Sequence, residues 1–198
     1  MLRLRPNFRP LALSEAGELH RKLKFVSDPI PVERTADMTA AMCYSNARDF
    51  AAEMGGTVVT GYMMIIWPSM FLEALHHAVV RARDGTLIDV TAPAYPGLEK
   101  HDECLFAADT RILGDADPGI RSEFIVLSAN PAVRQWTKVA RDRMDAYRAL
   151  IQLPHTSRRV PSGPLQFAFE HSPEFVKREA RYRALEEQKQ DLWHRFAV

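Results

Sequence analysis

The sequence has few of the features that mark several large classes of protein. Among its 198 residues are only two cysteines, and 26 basic residues balance 25 acidic ones to give a net charge of +1. Two cysteines do not make a disulfide framework in a chain of this length. A balanced charge gives no general attraction to nucleic acid or to a membrane surface. The longest apolar run, residues 61–67, is far shorter than the roughly 20 residues of a membrane-spanning helix.

These shortages narrow the expected partners and cofactors. We expect no nucleic-acid or membrane partner, and a cytoplasmic location in which Cys43 and Cys104 stay reduced. The chain has neither a glycine-rich phosphate loop nor a dinucleotide fingerprint, so we expect no cofactor. His101, Asp102 and Cys104, with the pair at 76–77, lack the short paired spacings of zinc ligands, so we expect no metal.

Four segments carry the signals of helices. In each, regularly spaced apolar residues follow a polar cap, or a cap and a proline. The predicted helices run from Ser14, from about Ala40 to Met54, from Asn130 to Ile151 and from Ser172 to about His194. We expect Thr35 or Thr39 to cap the second helix and Gly55 to end it, which places Cys43 near its first turn.

Three strands are predicted after that second helix. Residues 57–67, 76–82 and 87–91 are rich in β-branched and aromatic residues, and Asp84-Gly85 marks a hairpin turn between the last two. A helix followed by an antiparallel meander indicates an α+β fold, with the helix packed on a sheet of about three to five strands. We assign residues 1–160 to this domain. Residues 161–198 are assigned to a connector and a charged helix packed on the domain or on a partner chain.

Cys43, His77 and Asp89 have the residue types of a thiol catalytic triad. A helix start favours the thiolate form of a cysteine placed there. In such a triad, a histidine accepts or donates the thiol proton, and an aspartate fixes the imidazole tautomer. If the Asp84-Gly85 turn centres the hairpin, His77 and Asp89 face opposite sides of the sheet. A shift of one residue, from a bulge or a longer loop, would bring them onto one face as diagonal neighbours.

This order of residues resembles the core of the transglutaminase-like and papain-like cysteine enzymes. The resemblance covers roughly residues 40–93 and lies in a helix that begins with cysteine, a strand that ends at Gly-Tyr, a His-Ala strand and an Asp-containing strand. The matching positions are Cys43, Ala47, Phe50, Ala51, Gly55, residues 58–62, His76 to Val79, Asp84, Gly85 and residues 87–91. It implies an α+β papain/transglutaminase-like core in which Cys43 is the nucleophile, His77 the general base and Asp89 the orienting acid.

The resemblance implies a thiol-dependent acyl-transfer enzyme, a protease, amidase or transferase that works through a thioester and takes a peptide or another amide. Asn46, Tyr62, Trp67 and His76 are the candidate substrate-binding residues, with Asn46 also a candidate for the oxyanion site. Papain-like enzymes place a glutamine several residues before the cysteine, where this chain has Asp37. Residues 62–75 and 94–122 would set the specificity.

Other interpretations fit the same residues. One is a catalytically inactive relative that keeps the fold and acts as a binding or assembly protein. Another is a protein that forms homo-oligomers through the helix from Ser172. His76 is a rival base, since adjacent strand residues face opposite ways. Trp67 is also typical of core packing.

Overall fold

The computed structural model describes residues 7–40, 42–111, 121–159, 165–169 and 172–197. Four α-helices are present there: α1 (Leu13–Leu23), α2 (Cys43–Met54), α3 (Pro131–Ile151) and α4 (Pro173–Ala197). Strands form one large sheet, so the mixed α+β class is confirmed. Of the described helices, none combines the length and the apolar character needed to cross a membrane.

The large sheet has seven strands, and five of them close into a barrel. Its strands are β1 (Arg9–Pro10), β2 (Ile30–Met38), β3 (Thr57–Trp67), β4 (Phe71–Arg81), β5 (Leu87–Thr91), β6 (Glu103–Ala108) and β7 (Glu123–Val126). The order β3-β6-β2-β5-β4 returns to β3, which closes the barrel, while β1 and β7 extend it at the ends of β3 and β4. β8 (His155–Arg159) and β9 (Leu165–Phe169) form a separate antiparallel pair, and the stretch between these strands lies outside the described residues.

The expectation of three to five antiparallel strands was wrong in two respects. The sheet is larger, and β2 runs parallel to β5. The sequence carries no strand signal at β2, whose first residue, Ile30, stands between Pro29 and Pro31. Proline is compatible with the start of a strand, and Pro31 lies opposite Leu105 of β6. β6 also fell in a turn-rich stretch that gave no clear signal.

Close contact between strands shapes the barrel at Gly61. This residue lies opposite both His77 of β4 and Ala108 of β6. A Cβ atom at this position would collide with the carbonyl oxygen of Ala107 and with the ring of Phe106. Glycine is therefore required here because the backbones approach too closely for any side chain.

The β4–β5 hairpin has the shifted register. Arg81 pairs with Leu87 and Val80 with Ile88, one residue away from a turn centred on Asp84-Gly85. The loop has three residues, 83–85, closed by the hydrogen bond from the N–H of Ala82 to the carbonyl of Thr86 at 2.8 Å. Its last residue, Gly85, has φ +93°, as expected for the left-handed position of such a loop.

Helix α2 lies against the outside of β4 through small side chains. Ala47 and Ala51 pack on Ala78 and Val80, and this close approach brings the start of the helix to β4. The N-cap is Met42, not Thr35 or Thr39, and no side chain caps this end. Gly55 ends the helix in the left-handed conformation with φ +74°, as predicted.

Helix α4 packs on its own domain. Leu192 is buried in the main core, and the ring of Trp193 lies 5.5 Å from that of Trp136 in α3 and 5.1 Å from that of Trp67 in β3. The apolar residues of its C-terminal half, Leu185, Leu192 and Trp193, therefore pack within the chain, whereas Val176 is exposed.

Candidate functional site

The first member of the predicted triad, Cys43, is the first residue of α2. At this position the N–H groups of the first turn and the helix dipole favour a negative charge on the side chain. Its relative exposure is 8%, so the residue lies at the edge of the core and not in its centre. The thiol is hydrogen-bonded to the imidazole of His77.

The other two members, His77 and Asp89, meet across the β4–β5 hairpin. Nε2 of His77 lies 2.9 Å from Oδ1 of Asp89. The three-residue loop produces this contact, since its register makes the two residues diagonal neighbours on one face. Because Nε2 faces the carboxylate, Nδ1 is the ring nitrogen left for Cys43. The structure thus brings together the three residues that the sequence singled out.

Asp89 is completely buried, with 0% exposure. Its Oδ1 also accepts a hydrogen bond from the backbone N–H of Thr91 at 3.1 Å. Its Oδ2 faces Nε of Arg34 at 3.3 Å and Sγ of Cys104 at 3.9 Å. Burial raises the pKa of this carboxyl, but the charge of His77, the hydrogen bonds and the charge of Arg34 outweigh burial and leave the pKa below its ordinary value.

These surroundings favour the protonated ring of His77. Burial by itself lowers the pKa of the imidazole. The negative charges of Asp89 and Cys43, with the hydrogen bonds to both, overcome this and raise the pKa of His77 to about 10. Imidazolium is therefore the favoured form near neutral pH, and an imidazolium is the partner that a reactive thiolate requires.

Asn46 has a structural role in this arrangement. Its Nδ2 donates to the carbonyl oxygen of Thr39 at 2.7 Å and to Oγ1 of Thr91 at 3.1 Å. An amide has two N–H hydrogens, and both are used by these contacts. The side chain ties the segment before α2 to β5 through these two contacts.

The three remaining candidate substrate residues have different surroundings. Trp67 is only 4% exposed and packs in the main core, which agrees with its interpretation as a core-packing residue. Tyr62 packs on Phe25 with ring centroids 5.2 Å apart, beside the cluster that α1 covers. His76 is adjacent to His77 in β4, and its half-buried ring stacks on Tyr44, the residue after Cys43, with ring centroids 6.0 Å apart. The side chain of Asp37 lies outside the described residues.

Sequence reasoning missed Arg34, Tyr44, Thr91 and Cys104 as neighbours of the site. Arg34 and Cys104 belong to β2 and β6, which the sequence did not reveal as strands. Thr91 was included only as the last residue of the predicted strand 87–91, and Tyr44 was marked only by its position after Cys43. A period-two pattern that places Val32 and Arg34 on one face of a strand is the signal that could have found the arginine.

A second buried polar cluster lies on the same face of β4. Glu73, four residues before His77, is 1% exposed and its Oε1 lies 3.5 Å from the hydroxyl of Tyr95. Burial raises the pKa of Glu73 to about 7, against the smaller opposing effects of the nearby Ser122 and Tyr95 hydroxyls and of the charge of Lys189. This carboxyl is therefore largely protonated below neutral pH.

Glu73 is expected to make the protein less stable as the pH rises from about 4.5 to about 7. In that window the folded state holds a proton that the unfolded state has lost, so the free energy of unfolding decreases, by about 3 kcal/mol at about 1.4 kcal/mol per pKa unit. The Glu73→Gln variant should lack this decrease. Urea unfolding across the window measures it, with the exposed Glu53→Gln as the control. An equal pH dependence in all three proteins would contradict the expectation.

The chain shows no match in comparisons with protein-family models, with curated proteins or with solved structures. Within the part of the chain that the structure describes, no three or more His, Cys, Asp or Glu side chains are grouped to hold a metal ion. The function is therefore argued from the geometry around Cys43.

Proposed function

We propose that the protein is a thiol-dependent acyl-transfer enzyme of the papain/transglutaminase-like kind, with Cys43, His77 and Asp89 as its catalytic triad. The supporting observation is the continuous chain of contacts from the thiol at the start of α2, through the imidazole, to a buried carboxylate 2.9 Å from Nε2. Three side chains from a helix and two strands have the order and the surroundings that thiolate chemistry needs.

The reaction begins with the Cys43 thiolate beside protonated His77. Sγ attacks the carbonyl carbon of an amide, the C–N bond breaks, and the imidazolium gives its proton to the departing amine. The product is a thioester on Cys43 and a neutral imidazole. Water or an amine then attacks the thioester carbon and gives its proton to His77, and the acyl group leaves Sγ as an acid or a new amide.

The oxyanion of each tetrahedral intermediate is stabilised by backbone. With the Asn46 amide used elsewhere, the N–H of Cys43 at the helix start is the donor that we assign to it. Tyr44 and His76 form the rim beside the nucleophile and contact the substrate, a peptide or another amide. The chemistry needs a free thiol, and both cysteines are free, which suits the reducing cytoplasm.

The pH dependence of Cys43 alkylation by iodoacetamide tests this proposal. On a Cys104→Ser background, the thiol should react at about pH 6 nearly as fast as at pH 8. His77→Ala should slow the reaction at about pH 6 by about 10²-fold, because an ordinary thiol with a pKa near 8.5 is less than about 1% ionised there.

His76→Ala is the matched control, because it removes the adjacent imidazole and leaves the contact between His77 and Asp89. Its rate should stay within about threefold of the parent. Alkylation that follows an ordinary thiol profile and is indifferent to His77 would refute the enzymatic proposal and favour a binding or assembly protein that keeps the fold.

A further inference from the structure

Asp89 lies between two cationic side chains, and only one of them belongs to the triad. His77 approaches Oδ1 from β4, and Arg34 approaches Oδ2 from β2. The side chain of Arg34 is 2% exposed. Nε of Arg34 lies 3.3 Å from Oδ2 of Asp89, so the two groups form an ion pair, but Nε is not aligned for a hydrogen bond.

Arg34 is held in place independently of His77. Its Nη1 donates to the carbonyl of Leu98 at 3.2 Å, and its backbone N–H donates to the carbonyl of Asp102 at 2.8 Å. The parallel pairing of β2 with β5 sets Arg34 directly opposite Asp89. The guanidinium therefore remains beside the carboxylate whatever the protonation state of the imidazole.

The charges of this buried cluster sum to zero in both forms of the proposed catalytic pair. The charges of Arg34 and Asp89 cancel each other. The catalytic pair adds no net charge, either as thiol with neutral imidazole or as thiolate with imidazolium. Without Arg34, the carboxylate would have no compensating cation whenever the imidazole is neutral, as it is in the thioester intermediate. An uncompensated buried carboxylate is costly and would hold the proton on His77.

We propose that Arg34 is a positioning residue of the site: it is the permanent counter-ion of Asp89, which lets His77 release its proton during the reaction. This role rests on the proposed function and assigns a fourth residue to it. The groups that face the Asp89–His77 pair are Cys43 on α2, His76 on β4, Cys104 on β6 and Arg34 on β2.

A charge role and a purely structural role predict shifts of opposite sign. Loss of a nearby positive charge makes the imidazolium harder to deprotonate, so the titration midpoint of His77 rises. If Arg34 only held Asp89 in place, its loss would loosen the contact between Asp89 and His77, and the midpoint would fall.

The experiment is an NMR titration of the His77 ring in the full-length Cys43→Ala protein, with its signal assigned from a His77→Gln sample. Adding Arg34→Met should raise the midpoint by about one pH unit, and Arg34→Lys should restore most of the original value. Arg81→Met, which removes an exposed cation from the end of β4, the strand that carries His77, should leave the midpoint unchanged. An unchanged or lowered midpoint in Arg34→Met would overturn the inference.

A double-mutant cycle covers the case in which Arg34→Met does not fold well enough for NMR. If the arginine compensates Asp89, adding Asp89→Asn should recover much of the melting temperature that Arg34→Met loses. A double variant no more stable than Arg34→Met would equally overturn the inference. The NMR titration uses the Cys43→Ala protein, so its result does not depend on the alkylation test. If alkylation is indifferent to His77 but Arg34→Met raises the titration midpoint of His77, the enzymatic proposal is rejected and Arg34 remains the counter-ion of Asp89.

Discussion

Replacing Asp89 by asparagine is expected to slow the alkylation of Cys43 at about pH 6 by about 10²-fold. An amide keeps the shape of the carboxyl, but it removes the negative charge that is a principal support of protonated His77. The imidazolium–thiolate pair is then lost, and the thiol becomes an ordinary one. The measurement is the iodoacetamide rate on the Cys104→Ser background.

The same substitution should also lower the free energy of unfolding by about 3–5 kcal/mol, because it leaves the buried Arg34 without its anion. Asp109→Asn is the matched control. Asp109 is likewise buried, but its partner Arg111 is largely exposed and is screened by water. It should leave the alkylation profile unchanged. A normal rate at about pH 6 in Asp89→Asn would contradict the role given to the carboxylate.

Removal of residues 173–198 is expected to abolish cooperative folding. The deletion removes Leu192 and Trp193 from the main core and uncovers the rings of Trp67 and Trp136. A single large core residue contributes about 2–5 kcal/mol, and a small domain has only about 5–15 kcal/mol in total. Thermal unfolding followed by tryptophan fluorescence measures the effect.

Graded variants of α4 separate its packing from any role in assembly. Leu192→Ala should cost about 2–5 kcal/mol. Val176→Ser, at an exposed position of the same helix, should cost less than about 0.5 kcal/mol. An oligomer through α4 would have to use this exposed surface, so gel filtration of a charge-reversed Glu179→Lys variant tests it. A truncated chain that unfolds cooperatively at the parent temperature would contradict the packing argument.

The sequence predicted best those elements whose signals are local. The glycine after Met54 ended α2 where expected, and the cap and proline at 130–131 marked the start of α3, where the side chain of Asn130 accepts from the N–H of Ala132 at 2.9 Å. β2 and β6 were not found, since their residues are fixed by pairing with distant strands. Barrel closure is a property of those long-range pairs and has no local signature.

Part of the candidate site was predictable for the same reason. Cys43, His77 and Asp89 belong to segments with clear local signals, and the hairpin needed only a shift of one residue, which the three-residue loop provides. Arg34 reaches the site through the parallel pairing of strands far apart in the chain. The contacts of Trp67 and Asn46 could not be predicted, because a residue type alone does not reveal which neighbours it contacts.

The parallel pairing of β2 has a consequence for the order in which the protein forms during translation. Both partners of β2, namely β5 and β6, follow it in the chain, and α2, which carries Cys43, is synthesised after β2 and before either partner. The nascent chain therefore carries Cys43 before His77 and Asp89 are made. Until residue 108 has left the exit tunnel, the barrel stays open and Cys43 is not yet held beside His77 and Asp89. In the proposed enzyme, the catalytic triad is therefore assembled only once the barrel closes.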